Sequence, residues 1–207
     1  MPELPEVETV KESLKLKLIG KTIRSVNILW DNIIAYPSKE EFAIEIGNKT
    51  ITDIKRRGKF LMFDLDDYFL LSHLRMEGKY FFKNQDEDIN KHEHVIFDLG
   101  NNEELRYMDT RKFGKMYLIK KDNIDNIGPL KELGLEPWDD NLTSEYLLNK
   151  YNKKKLPIKS VLLDQSIIVG IGNIYADEIL FLSKINPLKA SNLISEKECL
   201  DIIKYTK

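Results

Sequence analysis

Residues Phe60–Leu74, FLMFDLDDYFLLSHL, decide the architecture. Two short apolar runs flank Asp66-Asp67, and acidic turn formers between such runs read as a strand–turn–strand unit. The unit does not stand alone. Thr22–Leu29, Phe42–Ile46, Thr50–Lys55, Lys79–Phe82, Val95–Leu99, Glu104–Met108 and Lys115–Ile119 continue the pattern, with Gly47-Asn48 and Gly100-Asn101-Asn102 as further turn signals. Many short strands at close spacing predict a β-sandwich or a barrel across residues 22–119.

Helical patterns flank this block. Pro5 suits a first helical position, Glu6 and Glu8 sit where the helix dipole favours acids, and Val7, Val10, Leu14 and Leu18 recur at helical spacing before Gly20. After Gly134 the period is helical again. Thr143 or Ser144 can cap a helix through Leu147 and Leu148; Ile158–Gln165 and Asn173–Leu182 follow. Ser195-Glu196-Lys197-Glu198 fits a capping box ahead of Leu200, Ile202 and Ile203, and that helix runs to Lys207. A boundary near 128–140, around Gly128-Pro129 and Pro137, predicts domains at 1–130 and 131–207 in an α+β chain.

Composition narrows the function classes. Of 207 residues, 42% are hydrophobic and 32% charged, which is enough apolar material for a core and excludes a disordered chain. Thirty-two Lys and Arg against 34 Asp and Glu leave a formal charge of −2, so the total gives no hint of a polyanionic partner. The distribution does. Residues Tyr151–Lys207 carry nine Lys and six acids, a net +3, which leaves −5 on the first 150 residues. One cysteine, Cys199, excludes an internal disulfide and a four-cysteine zinc site, and is expected to be a small buried residue. The start, MPELPEVETV, has no signal-peptide pattern, and no run approaches the roughly 18 apolar residues of a membrane span. An intracellular protein with no membrane partner is expected.

The terminus carries the first chemistry. A small second residue such as Pro2 allows removal of the initiator Met, which would leave a secondary amine at the chain start. Free α-amino groups titrate near 7.7–8.0, so a useful fraction is an unprotonated nucleophile able to form a Schiff base. Read alone, MPE is also simply a helix N-terminus with acidic residues.

Further blocks converge on one family. MPELPEVETV resembles the N-terminal signature of the formamidopyrimidine-DNA glycosylases, bacterial enzymes that excise oxidised purines. Arg56-Arg57-Gly58-Lys59-Phe60 resembles the family's lysine-bearing strand start, and His73-Leu74-Arg75-Met76-Glu77-Gly78 its HLxMxG block. Lys91-His92-Glu93-His94 resembles its KHxH block, and Asp109-Thr110-Arg111-Lys112-Phe113-Gly114 its D-x-R-[RK]-F-G loop. Asp164-Gln165 through Gly170-Ile171-Gly172-Asn173 to Glu178 resembles its helix–two-turn–helix signature. The related endonuclease VIII has Gly where Leu4 stands here.

The resemblance implies an N-terminal helix, a two-layer antiparallel β-sandwich and a helix–two-turn–helix domain. It also implies roles. Pro2 would attack the sugar C1′, Glu3 would be the general acid–base, and Lys59 would contact phosphate and assist the lyase steps, with Glu6 and Glu178 as support. A base inside a duplex must be flipped out, and Met76, Arg111 and Phe113 match the family's intercalating triad that fills the gap. Taken alone, Met76 fits a core methionine and Phe113 strand packing. His92, Lys154, Lys159 and Asn173 match DNA-contacting positions; glycines before a helix start, as at Gly170-Ile171-Gly172, let backbone N–H groups approach a phosphate. The run Lys153-Lys154-Lys155 alone reads as a solvated face. His92 and His94 have metal-pair spacing, but no third ligand stands out and the family uses no metal there. The expected partner is double-stranded DNA with oxidised purines or abasic sites, bound by a monomer in the bacterial cytoplasm, at the nucleoid.

One departure matters. Family members continue into a loop that covers the flipped base and a four-cysteine zinc finger, neither of which lies within these 207 residues. No cofactor is therefore expected on this chain, and zinc ligands would lie beyond Lys207. Either the sequence is a fragment of a longer protein or it is a degenerate relative. A DNA-binding remnant without turnover is the alternative to the enzyme.

Overall fold

The two apolar runs of Phe60–Leu74 close into a hairpin at the middle of a sheet. The computed structural model describes residues 2–207, which hold ten strands and six α-helices. In chain order the first part contains α1 (Leu4–Leu18), β1 (Thr22–Ile23), β2 (Ser25–Ile28), β3 (Ile34–Tyr36) and α2 (Lys39–Ile46). Then come β4 (Lys49–Arg57), β5 (Phe60–Leu65), β6 (Tyr68–His73), β7 (Lys79–Asn84), β8 (Glu93–Gly100), β9 (Glu103–Met108) and β10 (Lys115–Lys120). One sheet has the order β1-β4-β5-β6-β10-β3 and the other β2-β8-β9-β7. In the central hairpin Leu65 faces Tyr68 across the turn, and Asp66 takes the left-handed backbone that a tight turn demands.

The two sheets share one apolar core. Phe63, Leu65 and Leu70 come from the larger sheet, and Phe97, Leu105 and Tyr107 from the smaller. Val7, Leu14 and Leu18 of α1 join them, the helical stripe expected from their spacing. Residues 1–131 form one compact unit and residues 132–207 another.

Three local expectations need correction. Phe42–Ile46 is not a strand but the end of α2: Ser38 Oγ accepts from Glu41 N–H at 3.2 Å as an N-cap, and Phe42 and Ile46 are both buried at i, i+4 spacing. Thr22–Leu29 breaks into β1 and β2, which join different sheets. The sandwich is antiparallel except where β3 pairs parallel with β10; no hairpin links these strands, so no turn fixes their direction.

The second unit is helical: α3 (Ser144–Tyr151), α4 (Ile158–Leu162), α5 (Asn173–Leu182) and α6 (Glu196–Thr206). Its core gathers Leu147, Tyr151, Val161, Ile179, Cys199 and Ile202. The helix expected over Ile158–Gln165 is shorter because Asp164 turns the chain, its Oδ1 accepting from Ser166 N–H at 3.0 Å and Ser166 Oγ–H at 2.6 Å. No helix among the described residues is long and apolar enough to cross a membrane.

Candidate functional site

The start of α1 gathers the first group. Glu3 caps the helix, and its N–H donates to Glu6 Oε2 at 2.9 Å as part of a capping box. Only 3% of Glu3 and 5% of Lys59 are exposed, and Pro2 is half-buried. Met1, and with it the removal of the initiator residue, lies outside the described residues. Lys59 is placed by Arg56, whose Nε pairs with Glu8 Oε2 at 2.8 Å while Nη1 donates to Gly58 O at 2.8 Å. The turn before Lys59 is thereby tied to α1. Burial pulls the Lys59 ammonium below the ordinary lysine range, Glu3 opposes that shift and Arg75 adds to it, so Glu3 and Lys59 feel each other's charge.

His73 joins this group, although the sequence reading quoted it only inside its motif and gave it no role. It pairs with Phe60 across β5 and β6, and the two rings meet edge-on at 4.7 Å. Burial, with Arg75 and Lys59 adding positive charge, pushes its pKa down to about 3. Its Nδ1 accepts from Arg75 N–H at 3.0 Å, so the neutral ring carries its proton on Nε2. The signal that could have found it was its position at the end of a strand immediately before the Met76 loop.

Two loops of this unit present the wedge candidates. Met76, Arg111 and Phe113 are all exposed, at 38% for Met76 and 48% for Phe113. Pro2 and Met76 line one groove of about 480 Å³, together with Glu6, Val10, Tyr80 and Phe82. Each loop contains a non-glycine residue in the left-handed region, Arg75 at φ 53° and Lys112 at φ 59°. Such backbone costs roughly 1–2 kcal/mol per residue and persists only where the surroundings impose it. At the second loop the imposing group is Asp109, fully buried, whose carboxylate accepts from Arg111 N–H at 3.0 Å and Gly114 N–H at 2.8 Å. The Arg111 guanidinium lies 4.8 Å from the Phe113 ring centroid, and Lys112 Nζ 4.0 Å from that of Trp30.

The HxH pair divides between two tasks. His92 is half-buried and its carbonyl accepts from Asp109 N–H at 2.9 Å, at the base of the same loop. His94 is buried, with Nε2 2.8 Å from Asp109 O.

In the helical unit, Gln165 organises the glycine turn. Its Oε1 accepts from Gly170 N–H at 2.8 Å and its Nε2 donates to Ile171 O at 2.9 Å. Asn173 opens α5 and is exposed, as is Glu178. Lys154 and Lys159 are not bare cations: Lys154 Nζ lies 2.7 Å from Asp164 Oδ2, and Lys159 Nζ 2.7 Å from Asp177 Oδ1. The first of these pairs helps hold the Asp164 carboxyl below its usual range against the cost of burial.

Zinc does not fit the donor set. The one thiol, Cys199, is fully buried in α6, where burial pushes its pKa up to about 11. No group of three or more His, Cys, Asp or Glu among the described residues could hold a metal ion.

The first unit is thus a two-sheet sandwich with a buried carboxylate and a buried lysine near its N-terminal segment, and the second is helical. Comparison with known proteins gives the class. Residues 1–116 match the formamidopyrimidine-DNA glycosylase N-terminal domain, and residues 133–207 the H2TH domain of the same enzymes. The formamidopyrimidine-DNA glycosylase of Cytobacillus firmus is 48% identical over 199 residues, which cover 96% of this chain and 73% of the relative. That of Bacillus subtilis (strain 168) is 49% identical over 198 residues, 95% of this chain and 72% of the relative. The structure of Lactococcus lactis Fpg in complex with DNA containing an abasic site superposes with a TM-score of 0.91 at 37% identity, over 99% of this chain and 75% of that one. A complex of a Lactococcus lactis Fpg mutant with DNA containing Fapy-dG gives 0.92 at 37% identity, with the same coverage. The chain belongs to the formamidopyrimidine-DNA glycosylase family, whose members are DNA-repair enzymes.

Proposed function

We propose that residues 1–130 form the catalytic domain and residues 131–207 a DNA-binding domain of an enzyme that excises oxidised purines from duplex DNA and then nicks the abasic site. The relatives' names and the DNA in the Lactococcus lactis complexes support this reading. The observation that carries it is the burial of Glu3 and Lys59 beside Pro2, each within reach of the other's charge. Ionisable groups are costly to bury, and a desolvated lysine with a lowered pKa near a nucleophile is a mark of a reactive site.

The residues then have distinct tasks. The unprotonated Pro2 nitrogen attacks C1′, the bond to the base breaks, and the base leaves with the bonding pair and takes the proton that the Pro2 nitrogen sheds. Glu3, protonated from solvent, delivers its proton to the ring oxygen as the nitrogen lone pair opens the sugar to the iminium. The iminium acidifies C2′, so loss of that proton expels the 3′-phosphate; a second elimination expels the 5′-phosphate. Lys59 neutralises phosphate charge. Glu6 fixes the terminus through its bond to the Glu3 backbone, while the supporting role of Glu178 rests on the resemblance alone. Met76, Arg111 and Phe113 fill the space left by the flipped nucleotide, and Asn173, His92, Lys154 and Lys159 contact the backbone.

Borohydride trapping with abasic-site duplex tests the reading. Protein with a free Pro2 should give a covalent adduct, and Pro2→Gly should weaken it. Absence of an adduct with retained duplex binding at low salt leaves only the DNA-binding remnant.

A further inference from the structure

The two wedge loops meet on one hydroxyl. Gly78 closes the Met76 loop and Gly114 closes the Arg111–Phe113 loop, and both press against Tyr107. A Cβ at Gly78 would stand 2.2 Å from Tyr107 Oη, and a Cβ at Gly114 would stand 1.9 Å from the same atom. Neither distance is physically possible, so both positions need glycine for close approach rather than for backbone freedom. Tyr107 is fully buried on β9, its ring edge-on to Tyr80 at 5.2 Å, and its hydroxyl donates to Asp109 Oδ2 at 3.4 Å. The Asp109 carboxylate in turn binds the Arg111 and Gly114 N–H groups. Gly78 N–H donates to Leu74 O at 2.9 Å, which completes the first loop.

We infer that Tyr107 is a positioning residue that fixes the separation of Met76 from Arg111 and Phe113, with Gly78 and Gly114 as its two seats. Three side chains on two loops must enter one gap in a duplex together, so their spacing has to be set before DNA arrives. One hydroxyl held between two α-carbons sets it, and the left-handed Arg75 and Lys112 show that both loops are held away from their relaxed backbone. This inference rests on the wedge role proposed above.

The test compares a substrate that needs wedging with one that does not. The first measurement is excision of 8-oxoguanine from a duplex, and the second is borohydride trapping on a single-stranded abasic oligonucleotide. Tyr107→Phe should lower duplex excision about tenfold and Gly114→Ala by more, while single-strand trapping stays within about twofold of the parent. Because both glycines seat on one atom, Gly78→Ala and Gly114→Ala should combine with less than additive effect. Tyr107→Phe adds no atoms and carries the test if an alanine variant does not fold. Equal losses on both substrates, or none, overturn the inference. Met76→Ala and Phe113→Ala are the control: if they leave duplex excision intact, the wedge role itself fails, whereas if they impair it and the Tyr107 and glycine variants do not, only the spacer fails.

Discussion

The two units bury different things. Glu3, Lys59, His73, Glu93, Arg106 and Asp109 are all buried in the first, whereas the helical unit contributes only Ser191 to the buried polar residues among those described. A buried charge costs several kcal/mol unless it is held by partners, so the first unit is built to keep these ionisable groups in fixed positions. The second unit is held by apolar packing and turns its polar groups outward. Two sorts of lysine follow from this. Lys59 is desolvated and pulled down in pKa; Lys154 and Lys159 sit in half-exposed ion pairs.

The largest expected effect tests that contrast directly. Glu3→Gln should lower base excision by about 10²–10⁴-fold, the usual share of a general acid–base, with duplex binding retained. Lys154→Ala or Lys159→Ala should cost under about tenfold, most of it removed by raising the salt, because phosphate contacts act through counterion release. Measured kcat/KM at two salt concentrations separates these cases. A Lys159→Ala loss as deep as that of Glu3→Gln at low salt would erase the distinction between the units.

Stability offers the next break point. Arg106 is 1% exposed and donates to Glu93 at 3.1 Å, to Glu104 at 2.7 Å and to the carbonyls of Asn84, Glu87 and Asp88. Arg106→Met leaves the buried Glu93 with Lys83, at 2.8 Å, as its remaining cation and takes the donor from three carbonyls, and should cost about 3–5 kcal/mol in urea unfolding followed on the first unit. A cost under about 1 kcal/mol would mean that the charge network is ornamental.

How far the sequence foretold this depends on the range of each cause. The β5–β6 hairpin, α1 and the Ser195 capping box were legible because a period or a cap is written within a few residues. Phe42–Ile46 misled because five apolar-rich residues fit either period; the deciding cap, Ser38, lies before the run. The parallel pairing of β3 with β10 joins residues some eighty positions apart, and no local signal encodes it. At the candidate site, the motifs single out Pro2, Glu3 and Lys59; His73 lies inside one but carries no signal of its own, and Tyr107 lies in none. Their significance comes from burial and from neighbours on other strands.

His73 gives a pH signature of the first unit. Its folded pKa is about 3 against an ordinary 6.5, so below pH 6.5 the unfolded chain binds a proton that the folded one refuses. Stability should therefore fall as pH drops from 6.5 towards 3, by about 1.4 kcal/mol per pH unit from this group alone. Urea midpoints at pH 7 and pH 5 should move apart in the parent and converge in His73→Gln. Equal dependence in both would show that the ring is not the group that titrates.

The smallest effect is the sharpest comparison, since both units use the same capping device. In α6, Ser195 Oγ accepts from Glu198 N–H at 3.2 Å and Glu198 Oε2 accepts from Ser195 N–H at 2.8 Å. In α1, Glu6 returns the same bond to Glu3, but the cap residue there is a buried carboxylate that feels the charge of Lys59. Ser195→Ala should cost about 1 kcal/mol of stability, as N-caps do, and leave kcat/KM for a duplex substrate unchanged once the protein is folded. Glu3→Gln should do the reverse, because glutamine keeps an acceptor for the helix start and loses only the ability to move a proton. The two variants thus separate what a cap does for a helix from what the first unit has made of it. If Ser195→Ala lowered turnover at full folding, or Glu3→Gln lost stability in step with activity, the same motif would be serving one purpose in both places.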